Sequence, residues 1–169
     1  MSKRFLTVLL GVILCLLLGL SACVSNPSDT DKTDGSGGTN EQGGIENGEI
    51  NKMYVHINGN KLEVTLVNNS SVDALVELLR QGDITYTADD YGNFEKVGNI
   101  GHSLPRNDTQ INTEAGDVIL YQGNNICLYY GNNSWSFTRI GKIEGYSASE
   151  LRTLLGAGNG SMQVTLSLK

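Results

Sequence analysis

The stretch Gly116-Asp117-Val118-Ile119-Leu120-Tyr121-Gln122-Gly123-Asn124-Asn125-Ile126-Cys127-Leu128-Tyr129-Tyr130-Gly131-Asn132-Asn133-Ser134-Trp135-Ser136-Phe137-Thr138-Arg139-Ile140-Gly141-Lys142-Ile143 holds three apolar runs, Val118 to Tyr121, Ile126 to Tyr130 and Ser136 to Ile143. Between them stand Gln122-Gly123-Asn124-Asn125 and Gly131-Asn132-Asn133-Ser134. Short runs of β-branched and aromatic residues bounded by Gly and Asn read as strands joined by hairpins. The fold is therefore expected to rest on antiparallel strands.

Upstream, Met53 to Ile57 and Leu62 to Val67 flank Asn58-Gly59-Asn60, which predicts a first hairpin. Val72, Leu75, Val76 and Leu79 follow at helical spacing, with Ser70 and Ser71 offering an N-cap and Gly82 a stop. Ile84 to Thr87 reads as a strand, Ala88 to Gly101 as turns around Phe94 and Val97, and Ser103 to Thr109 as a loop. Downstream, Ser147-x-x-Glu150 is a capping box leading into Leu151, Leu154 and Leu155, and Met162 to Leu168 alternates as a last strand. Many short strands with two short helices indicate a mainly β domain, a barrel or a sandwich. Pairing of the first strand with the last would hide two edges and close a barrel.

The texture ahead of this domain is different. Lys3 and Arg4 precede the apolar run Phe5 to Leu20, which has the layout of a secretory signal and falls short of the roughly twenty residues a spanning helix prefers. It ends in Leu20-Ser21-Ala22-Cys23, which resembles the bacterial lipobox. That resemblance implies lipidation of Cys23, removal of residues 1–22, and attachment at the extracytoplasmic face of the cell membrane, where two acyl chains suffice for a stable anchor. Residues 23–48 are polar, with little apolar content beyond Ile45, and are expected to form a flexible linker ahead of a domain at 49–169.

The formal charge of −6 includes Lys3 and Arg4; without them ten basic residues face eighteen acidic ones, a balance of −8. Nucleic acid is disfavoured as a partner, because phosphate binding draws on clustered Lys and Arg. Once Cys23 is lipidated and Cys15 removed, Cys127 is the remaining thiol. Between apolar neighbours it is read as a buried small hydrophobe rather than a nucleophile.

Four blocks, Asp90 to Gly98, Ser103 to Arg106, Gly116 to Asn124 and Tyr130 to Ile143, together resemble the bacterial cyclophilin-like domain family over about Met53 to Lys169. The resemblance implies a closed, eight-stranded antiparallel barrel with a short helix capping each end. True cyclophilins carry a Phe-x-Arg whose guanidinium polarises the peptide bond before proline. Here Phe94-Glu95-Lys96 matches it only loosely, and Lys lacks the planar fork of Arg.

Other chemistry is sparse. His56 and His102 are too few for a histidine-rich metal site, Asp89-Asp90 lacks the alternating oxygens of a calcium loop, and neither a metal nor a cofactor is implied. The aromatic group Phe94, Tyr121, Tyr130 and Trp135, with Lys96, Gln122 and Arg139, is the candidate ligand site: aromatic faces grip apolar groups while amides and cations hold carbonyls. The preferred reading is a noncatalytic module that binds a peptide or small ligand. The alternative is a peptidyl-prolyl isomerase acting on exported proteins, and a third is a structural envelope component.

Overall fold

A computed structural model describes residues 50–169. The expected signal peptide 1–22, lipidated Cys23 and the linker to residue 48 lie outside the described residues. The elements, in chain order, are β1 (Lys52–Ile57), β2 (Asn60–Leu66), α1 (Ser70–Gln81), β3 (Ile84–Tyr91), β4 (Glu95–Asn99), β5 (Thr109–Thr113), β6 (Asp117–Tyr121), β7 (Asn125–Tyr129), β8 (Asn133–Ile143), α2 (Ala148–Leu154) and β9 (Met162–Ser167).

The domain is mainly β, and every strand pairing is antiparallel. Hydrogen-bonded neighbours run β2-β1-β9-β3-β4-β7-β6-β8-β5, and β2 also meets β8, which closes eight of the nine strands into a ring. The first and last strands do pair, with Tyr54 opposite Ser167 and Ile57 opposite Val164. β5 lies outside the ring on the first half of β8, from Thr109 opposite Phe137 to Thr113 opposite Asn133.

Local sequence explains most of the elements. Asn58 and Gly59 both take positive φ, 51° and 75°, the geometry of a two-residue turn that matches strand twist. α1 begins one residue earlier than expected: Asn69, not Ser70 or Ser71, is the N-cap, its side chain accepting from the amides of Ser71 and Val72 at 3.0 Å each. The side-chain Nδ2 of Asn69 also donates to the Arg139 carbonyl at 2.8 Å, tying the helix to β8. α2 carries the expected capping box of Ser147 and Glu150. The stretch read as turns holds the end of β3 and all of β4, and Thr109, read as the end of a loop, opens an unexpected strand. Ala88 to Tyr91 extends β3 and turns back into β4 through Gly92 and Asn93, and Thr109 to Thr113 is β5.

Alternation sorts the side chains into two cores. The larger fills the ring and draws apolar residues from every ring strand except β4, with Val72, Leu75, Val76 and Leu79 of α1 and Leu151 of α2. α1 enters β3 at its start, whereas α2 leads into β9 at Met162, opposite Ala88 near the end of β3, so the helices sit at opposite ends of the ring. The smaller core lies on the outer face and joins Ile119, Cys127, Tyr129 and Phe137.

The inward positions of β4 are Lys96 and Gly98, and Lys96 is fully buried. Its ammonium donates to Asp90 at 2.9 Å and to the Gly160 carbonyl at 2.6 Å. Asp90 also accepts from the Tyr130 hydroxyl at 2.8 Å and from the amides of Gly158 and Gly160 at 3.0 Å each. Burial by itself would raise the Asp90 carboxyl. Lys96, Tyr130 and the two amides outweigh it and hold the group below its ordinary value of 3.8. This cluster fastens the loop before β9 onto the end of the ring.

Replacing Asp90 by Asn would leave the Lys96 ammonium buried and uncompensated, and such losses cost about 3–5 kcal/mol. We expect Asp90→Asn to lower the unfolding free energy in urea by about that amount, and Lys96→Met in the same chain to restore most of it. Because the Asp90 pKa is depressed on folding, its contribution is complete above the ordinary aspartate value and is lost as pH falls through the lowered one. An Asp90→Asn protein as stable as the parent at pH 7 would show that the pair is dispensable.

Candidate functional site on the outer face of the sheet

The outward residues of β4 are Glu95 and Val97. Register sets Glu95 opposite Tyr129 and Val97 opposite Cys127, while on β6 Ile119 faces Cys127. Tyr129 is the hub of the aromatic floor. Phe94 stacks on it at 6.0 Å with 9° between planes, and Phe137 meets it edge-on at 6.2 Å. Tyr121 packs on Phe137 at 6.0 Å and Tyr91 on Phe94 at 5.9 Å, both T-shaped. Such pairs favour edge and offset contacts because the ring face is electron-rich and the edge is not. The amides of Tyr130 and Gly131 both donate to the Phe94 carbonyl, at 2.9 and 3.0 Å, and pin the entry of β4 against the end of β7.

Above this floor lies an open cavity of about 420 Å³, walled by Tyr91, Tyr121 and Trp135 and floored by Glu95, Val97 and Phe137. Asn125 and Asn133 supply polar groups at its edge. Trp135 is 60% exposed and Tyr91 62%, unusual for such large side chains and the largest exposures of this kind among the described residues. A larger cleft of about 550 Å³ runs beside α1, lined by Leu66, Val67, Val72 and Val76 with surface Asp73, Glu77 and Arg80, and Arg80 is bonded to Glu77.

Glu95 is the one acid of the outer cavity, and it is 6% exposed. Burial pushes its carboxyl above the ordinary glutamate range, against the pull of the Tyr129 hydroxyl and the Cys127 thiol that face it. Burial and the nearby Glu95 in turn raise Cys127 well above an ordinary thiol, and Tyr129 rises for the same two reasons. Cys127 thus stays a thiol at neutral pH. Oε2 of Glu95 has no hydrogen-bond partner in the protein.

The seven residues singled out in the sequence divide by strand parity. Tyr121 and Trp135 line the cavity. Phe94 lies beneath it on Tyr129, and the Gln122 amide donates to the Tyr121 hydroxyl at 3.1 Å. The other three lie elsewhere. Lys96 and Tyr130 point into the ring, because the outward neighbours are Glu95 and Tyr129. Arg139 is bonded to the fully buried Asp117. Sequence reasoning missed Tyr91, Glu95, Val97 and Phe137. Period-two alternation through Glu95-Lys96-Val97 carried the signal, since a buried lysine turns its neighbours to the other face.

Residues 55–167 match the model of the cyclophilin-like family. No curated protein sequence matches the chain. Among solved structures, the hypothetical protein AF2241 from Archaeoglobus fulgidus is similar, with a TM-score of 0.55 at 18% identity over 74% of this chain and 99% of that one. McbB in complex with tryptophan gives a TM-score of 0.49 at 15% identity over 68% of this chain and 44% of that one.

Because the Glu95 pKa is raised on folding, the native chain holds that proton more tightly than the unfolded chain. The stability this contributes is present below the ordinary glutamate value of 4.5 and is lost as pH rises through the folded value. We expect Glu95→Gln to raise the thermal midpoint by a few degrees at pH 8 and to leave it unchanged at pH 4. A variant less stable than the parent at pH 8 would mean that the carboxylate is held by stabilising contacts.

Proposed function

The chain belongs to the cyclophilin-like family, and from that premise we propose that it is an extracytoplasmic lipoprotein, tethered through lipid on Cys23, whose domain is a noncatalytic module binding a peptide or small ligand in the outer cavity. On this reading the eight-stranded ring is the closed barrel of the family, and residues 23–48 connect it to the anchor.

The observation that carries the binding role is the cavity itself. Tyr91 and Trp135 are largely exposed at a cavity that Tyr121, Val97 and Phe137 also line, so a ligand there gains apolar and aromatic contact. The noncatalytic reading is supported by where the cations go. Isomerisation at proline is assisted by a donor poised over the prolyl nitrogen. Lys96 is spent on Asp90 and Gly160 inside the ring and Arg139 on Asp117, and no Lys or Arg lines the cavity. The anchor rests on Leu20-Ser21-Ala22-Cys23 after the apolar run.

The chain has one tryptophan, so the fluorescence of Trp135 reports directly on the cavity. Titration with a library of short extended peptides is expected to change that fluorescence saturably. Tyr121→Ala is expected to weaken the tightest of them by about tenfold, the loss typical of an aromatic anchor. The same chain should not accelerate cis-trans exchange in X-Pro peptides; clear acceleration would make it an isomerase instead. For the tether, metabolic labelling with palmitate should mark the parent and not Cys23→Ala, and equal labelling of both would remove the anchor from the proposal.

A further inference from the structure

We propose that β5 is a self-pairing edge: two copies of the chain join antiparallel through Thr109–Thr113 into a two-fold dimer. This surface is separate from the ligand cavity, and the pairing stands whatever that cavity binds.

β5 and the first half of β8 form a two-stranded ribbon outside the ring, and β5 pairs with no strand but β8. Among the described residues, no backbone amide or carbonyl of Thr109 to Thr113 has a partner beyond β8. A two-stranded ribbon is marginal by itself in water, and an open edge is a template for a further strand. Folded proteins ordinarily guard such an edge with a lysine, a proline, an inward-pointing charge or a bulge. Thr109-Gln110-Ile111-Asn112-Thr113 carries no charge and no proline, and its register with β8 runs unbroken from Phe137 to Asn133. Thr109, Gln110 and Asn112 are exposed, and Ile111 is half-buried.

The sequence of the edge specifies what fits it. About Ile111 the segment is a chemical palindrome, with Thr109 matching Thr113 and Gln110 matching Asn112. Antiparallel pairing centred on Ile111 therefore sets Ile111 opposite itself, and each Gln110 opposite the Asn112 of the other copy. Apolar meets apolar, amide meets amide, and no like charges oppose within the strands. Alternation puts Ile111 on the face of Trp135, its partner on β8, and packs it against the outer core. The two copies thus join Trp135, Ile111, Ile111 and Trp135 into one apolar row. Past the strand, Asp108 with its exposed partner Arg106 comes opposite Glu114, which lies 3.5 Å from Lys142. Each end of the interface then gathers two acids and two bases. Two-fold pairing uses each edge once, so assembly stops at two. A strand of five residues is a small interface, and the dimer is expected to be weak in dilute solution and favoured where chains are crowded.

The test is disulfide capture in the full chain. Directly opposed residues of an antiparallel pair have Cα atoms about 4.5–5.5 Å apart, within disulfide reach, so Ile111→Cys is expected to cross-link to itself under mild oxidation. Gln110→Cys and Asn112→Cys are each expected to stay monomeric alone and to cross-link when the two variants are mixed. The parent, whose Cys127 is buried, sets the background. A charge swap reads the same register without cysteine. Gln110→Lys with Asn112→Lys opposes like charges and is expected to weaken association about tenfold or more in sedimentation equilibrium, whereas Gln110→Lys with Asn112→Glu pairs opposite charges twice and is expected to restore it. Cooperative thermal unfolding checks that each variant is folded. Self-cross-linking at Ile111 no greater than at Gln110 or Asn112, or equal association of the two charge variants, would overturn the dimer. Cross-linking of Ile111→Cys to a protein of another mass alone would overturn it too, and would give the edge to a foreign strand.

Discussion

The hairpin of β6 and β7 has almost no face left for solvent, and the rest of the domain is arranged around that constraint. Val118, Leu120, Ile126 and Leu128 point into the ring, while Ile119, Cys127 and Tyr129 point out and must be covered as well. The cover comes from Phe94 at the start of β4 and from Phe137 and Tyr121. β8 supplies it by running eleven residues, far enough to serve the ring with its second half and the outer face with its first. The cavity is the part of that outer face which the cover leaves open.

Burying both faces of a sheet also separates charges that are adjacent in the chain. Glu95 and Lys96 are consecutive, yet alternation puts one in the outer cavity and the other inside the ring, so each needs a partner of its own. Lys96 finds Asp90, and the cluster around them is complete, with donors from Tyr130, Gly158 and Gly160. Glu95 has only the neutral Tyr129 hydroxyl and Cys127 thiol facing it, and an oxygen with no partner. The contrast is between a satisfied acid and an unsatisfied one, five residues apart in sequence.

Much of the fold was legible because its signals are local. Asn58-Gly59, the capping box at Ser147 and the apolar runs from Val118 onward each state their geometry within a few residues, and the economy of joining the first and last strands was the right argument for a ring. What was not legible depended on distant partners. Thr109-Gln110-Ile111-Asn112-Thr113 has little apolar content and is a strand because β8 offers it an edge. Asp89-Asp90 reads as a turn and is the end of β3 because Ser161 and Lys96 receive the two carboxylates. Within the candidate site, aromatic residues and cations were gathered by nearness in sequence, and nearness mixes the two faces: Tyr130 was taken with Tyr121, and Lys96 in place of Glu95. The lone tryptophan and Tyr121 survived because alternation puts them on the same outer face as Phe137 and Ile119 of their own strands.

The place of β9 in the ring has a consequence for how the chain acquires its shape. The last strand lies between β1 and β3, pairing His56 with Thr165 on one side and Tyr86 with Val164 on the other. Until Ser167 is free to dock, the ring is missing a member in its middle, and both β1 and β3 carry an open edge. The long sequence separation of those contacts makes closure the slow event, since loop entropy must be lost before the pairing rewards it. Local elements, such as the β6–β7 hairpin, can form on their own, but the cooperative structure waits for β9 to dock. Removal of β9 would leave unpaired edges on both β1 and β3, open to pairing with neighbouring chains.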